Sequence, residues 1–204
     1  MSIQLIPLGI RCNAAIVTTA IINQPRLPFD WTQMNVGSMI QVMFLKENLR
    51  EYWTTYFSNL DSNNYHRVTK SWFPHDEYTS AEEKANTIEK YIRRTNRLIH
   101  VLDSPIPKVF LIFFGYPEYD SLEKATQLIM CLRSRISAHH KILVFNAQYI
   151  EKQIDNIYFF YEKLPEDVKD EKEDAWSMLT KNVEKRVRNI LSEWNVEPIS
   201  FEST

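Results

Sequence analysis

Three glycines in 204 residues is a scarcity with consequences. An average chain of this length carries about 7% glycine, or roughly fourteen. Motifs built from closely spaced glycines are therefore nearly excluded, and neither a phosphate-cradling P-loop nor a dinucleotide fingerprint is present. Cysteine is scarcer still. Cys12 and Cys131 are too few for a disulfide framework or a cysteine-built zinc site. Reduced thiols in an intracellular compartment are the expectation.

Charge of one sign is also lacking. The 24 Lys and Arg against 26 Asp and Glu give a formal net charge of −2. Proteins that coat nucleic acid or anionic membrane rely on a basic excess, so neither partner is expected. Long apolar runs are missing too. The stretch Ile3 to Ile10 is interrupted by Gln4 and Pro7, has no preceding basic residues and lacks a small-residue cleavage site, so it does not read as a signal peptide. Val109 to Phe114 falls far short of the roughly 20 residues a membrane span needs. No repeat or low-complexity tract appears. The length fits a single domain over residues 1–204, large enough to bury a core.

What is present alternates. Ile3 to Leu8, closed by Gly9, predicts a buried first strand, followed by a helix with Ala14, Val17, Ala20 and Ile21 at three- and four-residue steps. Pro25 and Pro28 stop that helix, and Pro28-Phe29-Asp30-Trp31 reads as a structured loop. Asn35 is a plausible cap for a second helix with Val36, Ile40, Met43 and Phe44 on one face. Residues 52–73 are dense in aromatics without a clean period and read as irregular but packed.

Ser80 with Glu83 forms a capping box opening a long helix whose apolar face runs Ile88, Tyr91, Ile92, Leu98 and Leu102. After Pro105 and Pro107 come the strand Lys108 to Gly115, a helix signalled by Asp120 and Glu123, and a strand at Ile142 to Phe145. A short aromatic strand is predicted at Ile157 to Phe160. A last helix then carries Trp176, Leu179, Val183, Val187, Ile190 and Trp194, and Val196 to Phe201 follows as an edge strand. Helices alternating with strands that are apolar throughout predict an α/β fold, a three-layer domain with a mostly parallel central sheet flanked by helices.

The sharpest local feature is Pro7-Leu8-Gly9-Ile10-Arg11-Cys12-Asn13-Ala14-Ala15. A cysteine between a strand end and a helix start meets backbone N–H groups and the positive end of the helix dipole, and Arg11 adds charge. That is an environment for a nucleophile, although a buried cysteine in an ordinary turn is the plain alternative. His75, in the loop Phe73-Pro74-His75-Asp76, is the candidate general base, with a surface histidine as the alternative. Asp30 and Asn146, at a loop and a strand end, are the candidates to orient its ring. Taken alone, each reads first as a turn-former or strand terminator. Arg11, Trp31 and Asp76 complete the set as substrate- or anion-binding candidates. His139 and His140 are assigned to a helix end rather than to a metal, and no metal or other cofactor is implied. Arg93, Arg94 and Arg97 form a basic cluster on the long helix that reads first as a solvated face, with an anion site as the alternative.

Leu8-Gly9, Cys12 and Ala15, then Pro28-Phe29-Asp30-Trp31, then Phe73-Pro74-His75-Asp76, then the three arginines ahead of Val109 to Phe113, together resemble an uncharacterised family described as papain-like cysteine peptidases. That family occurs in bacteria and large DNA viruses. The resemblance covers roughly the first 115 residues. It implies Cys12 as nucleophile and His75 as its partner, with Asn146 in the third place by chain order, and a papain-like α+β fold as the alternative architecture. Family members often carry a polar or small residue between the glycine and the cysteine, where this chain has Ile10-Arg11.

Two functions follow as expectations. One is a thiol-dependent hydrolase or acyl transferase acting on a peptide or acyl substrate. The other is a non-catalytic structural or interaction protein, for example a virus-particle component that binds protein partners or itself. A small-molecule or nucleotide-binding domain ranks last, for want of a phosphate motif. Cytoplasm, or the virus particle if the chain is viral, is the expected location.

Overall fold

A strand that is apolar at every position needs cover on both faces, and the first strand has it. The computed structural model describes residues 1–9, 12–30, 32–114, 121–149, 151–163 and 172–201. Along the chain come β1 (Ser2–Pro7), α1 (Asn13–Ile21), α2 (Val36–Phe44), α3 (Leu49–Ser58), a hairpin of β2 (Tyr65–His66) and β3 (Ser71–Trp72), and α4 (Ala81–Asp103). Then follow β4 (Lys108–Phe113), α5 (Ser121–Arg135), β5 (Lys141–Phe145), β6 (Lys152–Ile154), β7 (Ile157–Phe160), α6 (Lys172–Glu193) and β8 (Glu197–Pro198).

The main sheet has the order β6-β7-β5-β4-β1-β8. Every neighbouring pair is parallel except β6 on β7. This is the three-layer α/β domain, and not the antiparallel barrel-like sheet of the papain-like alternative. The period-two geometry of strands sorts the core into two halves. Ile6, Leu8, Phe110, Ile112, Ile142 and Val144 face α2, α4 and α5, while Ile3, Leu5, Val109, Leu111, Phe113, Leu143 and Phe145 face α1 and α6. The terminal edge strand is there, pairing Ser2 and Ile3 with Glu197 and Pro198.

Local signals explain the helix ends. Asn35 caps α2 by accepting the Ser38 N–H at 2.9 Å. Ser80 and Glu83 close a reciprocal capping box on α4. The α1 helix stops at Ile21, ahead of Pro25, and Ala20 is exposed. On α2 the buried stripe is Val36, Met39, Val42 and Met43, while Phe44 points outward. The Asp120 capping signal lies outside the described residues.

Residues 52–73 correct the expectation of irregularity, because α3 and the hairpin occupy most of them. Tyr52, Trp53, Tyr56 and Phe57 have helical spacing after all, and Trp53, Tyr56 and Phe57 are buried. Their rings join Tyr91 and Phe73 in one aromatic cluster, with Trp53 and Tyr91 centroids 4.8 Å apart. Trp53 also donates Nε1–H to Thr95 Oγ1 at 3.0 Å, a buried bond tying α3 to α4. No helix among the described residues is long and apolar enough to cross a membrane.

Candidate functional site

Cys12 directly precedes α1, at the carboxyl end of β1. Its backbone is already helical (φ −59°, ψ −16°), and its carbonyl accepts the first helical bond from Ile16 at 3.0 Å. The side chain makes no capping bond to the helix and is half-buried. It lines a cavity of about 590 Å³ between α1 and α6 together with Asn13, Ile16, Trp176, Thr180 and Lys181. Asn13 Nδ2 donates to Thr180 Oγ1 at 3.1 Å, which pins the two helices at the cavity. Arg11, the residue before the cysteine, lies outside the described residues, as does Trp31.

Cys131 is a different thiol. It is buried within α5, and burial pushes its pKa above the usual thiol range. The contrast matters because the thiolate is the nucleophile.

On the other face of the sheet the two loops that carry the remaining candidates run together. Gln33 and Trp72 exchange backbone hydrogen bonds of 2.8 and 2.7 Å, and the Asn35 N–H donates to Ser71 Oγ at 3.1 Å. The segment Gln33–Asn35, which follows the Asp30 loop, is thereby zipped to the strand that leads into Phe73-Pro74-His75-Asp76. His75 is exposed between buried Phe73 and buried Asp76. Lys90 and Tyr91 of α4 both donate to the Asp76 carboxylate. Asp76 is thus anchored to α4, with its two oxygens engaged there. Tyr91 is held well above the ordinary phenol pKa by burial and by the Asp76 charge.

Asp30 is buried at the heart of this region. Its Oδ2 accepts the Leu27 N–H at 2.8 Å, while Oδ1 is buried with no hydrogen-bond partner among the described residues. Burial raises its pKa from 3.8 to about 6, against the lowering influence of the Leu27 bond and of Arg94, Arg26 and Arg97. The arginine cluster is accordingly not one solvated face. Arg93 is exposed, but Arg94 is 8% exposed with its guanidinium 5.2 Å from the Tyr91 ring centroid, and Arg97 donates to the Arg26 carbonyl.

Helix geometry sets the height of this cluster. Ser104, just past α4, donates to Gln4 Oε1 near the start of β1 at 3.1 Å, so α4 ends beside the amino ends of the strands. Tyr91 lies roughly 20 Å back along the helix at 1.5 Å per residue. Extended chain covers most of that rise, about 16 Å, in the five residues from Gln4 to Gly9, just past the carboxyl end of β1. The Asp30 and Asp76 region and the cysteine turn therefore share the carboxyl end of the sheet, the end where open α/β sheets place their ligands. They approach it from opposite faces.

Asn146 occupies the same end in another capacity. It is 1% exposed in the left-handed region (φ 59°), its N–H bonds the Phe160 carbonyl at 2.9 Å, and its Oδ1 accepts the Glu162 N–H at 2.8 Å. Asparagine tolerates that conformation better than most residues, and here its side chain fixes the exit of β7. His140 corrects another expectation. The α5 helix ends at Arg135, and His140 is buried beside β4, accepting the Lys108 N–H on Nδ1 at 3.2 Å. Burial and the nearby Lys108 lower its pKa to about 4. Among the described residues no cluster of three or more His, Cys, Asp or Glu side chains is arranged to hold a metal ion.

The sequence reading did not foresee Tyr91 as a ligand of Asp76, or Thr180 and Trp176 as cavity walls. Tyr91 and Trp176 stand on the apolar stripes of their helices, which mark them as core while hiding a polar head or an open flank. The site is that of an α/β domain with a half-buried cysteine at the carboxyl edge of its sheet. Comparison with family models, curated proteins and solved structures gives no match for this chain.

Proposed function

We propose that the protein is a thiol-dependent hydrolase or acyl transferase with Cys12 as nucleophile. The observation that carries this reading is the placement of Cys12, at a helix start, on a cavity wall and at the carboxyl end of a parallel sheet. Helix N–H groups at that point favour a thiolate and can donate to the oxyanion that forms on attack. His75 is the general base. Asp30 is favoured over Asn146 to orient the imidazole, because its Oδ1 is buried without a partner among the described residues, whereas the Asn146 oxygen already accepts from Glu162.

In this mechanism Sγ attacks the carbonyl carbon of an ester, thioester or amide, and its proton passes through His75 to the leaving group as that bond breaks. Water, or an acceptor nucleophile in a transferase, then attacks the thioester carbonyl. The C–S bond breaks as the acyl group departs, and the proton of the attacking water or acceptor passes through His75 to sulfur. A panel of activated esters and thioesters tests the reading. Turnover with an acyl adduct mapped to Cys12 is expected, lost in Cys12→Ala and lowered about 10²- to 10⁴-fold in His75→Ala. Unchanged turnover in Cys12→Ala would refute it.

A further inference from the structure

The cavity beside Cys12 has walls that select for apolar ligands. Ile16, 36% exposed although aliphatic, forms one side on α1, and Trp176 forms the other on α6. Two of the polar side chains between them, Asn13 and Thr180, are already paired with each other or with the backbone. Asn13 Nδ2 donates to Thr180 Oγ1, and Thr180 Oγ1 donates in turn to the Trp176 carbonyl at 2.7 Å. Such internally paired groups ask for no polar partner from a ligand, which leaves Ile16 and Trp176 as the main apolar walls. The volume, about 590 Å³, falls in the range of small-molecule pockets.

The rim carries one cation, Lys181, and one carboxylate, Glu184, whose charge is offset by a neighbour. Glu184 is paired with Arg188 on the next turn at 2.9 Å, whereas Lys181 has no ion-pair partner among the described residues. A cation at the mouth suits the carboxylate that hydrolysis of an acyl group releases, and repels an ammonium ion.

We infer that this cavity is an acyl pocket, so that the substrates are esters, thioesters or amides of apolar carboxylic acids. As a statement about substrates it rests on the thiol chemistry proposed above. As a statement about binding it is independent. The acyl chain lies between Ile16 and Trp176 with its carbonyl carbon at Cys12 Sγ, and the released acid keeps its carboxylate near Lys181.

Octanoate is a suitable probe, with Cys12→Ser used so that no reaction intervenes. Calorimetric titration is expected to show saturable octanoate binding, weaker by about tenfold in Ile16→Asp, and weaker again for octylamine than for octanoate. Trp176→Ala is a second wall variant should Ile16→Asp fail to fold, while Met130→Ala, exposed on α5, serves as the control and leaves binding unchanged. No octanoate binding, or binding indifferent to both wall variants, overturns the acyl pocket. Selective alkylation of Cys12 in the unmodified chain is measured in parallel. Binding with an inert Cys12 would leave the pocket standing and remove the thiol mechanism. A reactive Cys12 without binding would do the reverse.

Discussion

Asp30 shows how much a single side chain in this protein depends on its surroundings. Its carboxyl is buried, one oxygen lacks a partner among the described residues, and its pKa rises to about 6 despite three nearby arginines. The folded chain thus holds this proton more tightly than the unfolded chain does. Its stabilising contribution is whole below about pH 4 and fades as pH rises through the folded value. Asp30→Asn removes the titrating group. Between pH 4 and pH 7 the unfolding free energy of the wild type should fall relative to the variant by on the order of 3 kcal/mol, as read from urea titrations. A difference that does not change with pH would contradict a buried, proton-retaining Asp30. The loop holding this residue was legible in its prolines. Its burial was not, because only the fold brings Arg94 and Tyr91 of a distant helix against it.

Elements were most legible where a local hydrogen bond decides them. The Ser80 and Glu83 box opens α4 because each side chain satisfies a backbone N–H that the helix leaves unpaired, and both partners are within four residues. Ser80→Ala should cost about 1 kcal/mol in the same denaturation assay. In Glu83→Ala background the Ser80→Ala cost should shrink, since the box acts as a unit. Equal costs in both backgrounds would mean the two halves act separately. The α3 helix leaves no such local signal, for the opposite reason. Its aromatic positions are set by packing on Tyr91 and Phe73 rather than by caps, its Asn48 cap makes no side-chain bond, and asparagines around it suggest turns. The hairpin β2–β3 is two residues per strand, too short for any period to show.

At the scale of the whole molecule, strands apolar at every position and separated by periodic helices were enough to imply a covered, mostly parallel sheet. That sheet explains why the cysteine turn, the Asp30 loop and the His75 loop reach a common edge from two faces. What the chain order could not convey is the partnership of α1 with α6, elements at opposite ends of the sequence joined through Asn13 and Thr180. The cavity beside Cys12 exists only because of that pairing. Scarcity of cysteine makes the central claim simple to test. The folded chain is exposed briefly to iodoacetamide near neutral pH, and both cysteines are quantified by peptide mapping. Cys12 at its helix start should be carbamidomethylated at least about tenfold faster than Cys131, whose thiol burial keeps protonated, and His75→Ala should slow only Cys12. Equal, slow labelling of both thiols that becomes fast only on unfolding would contradict a nucleophile at Cys12.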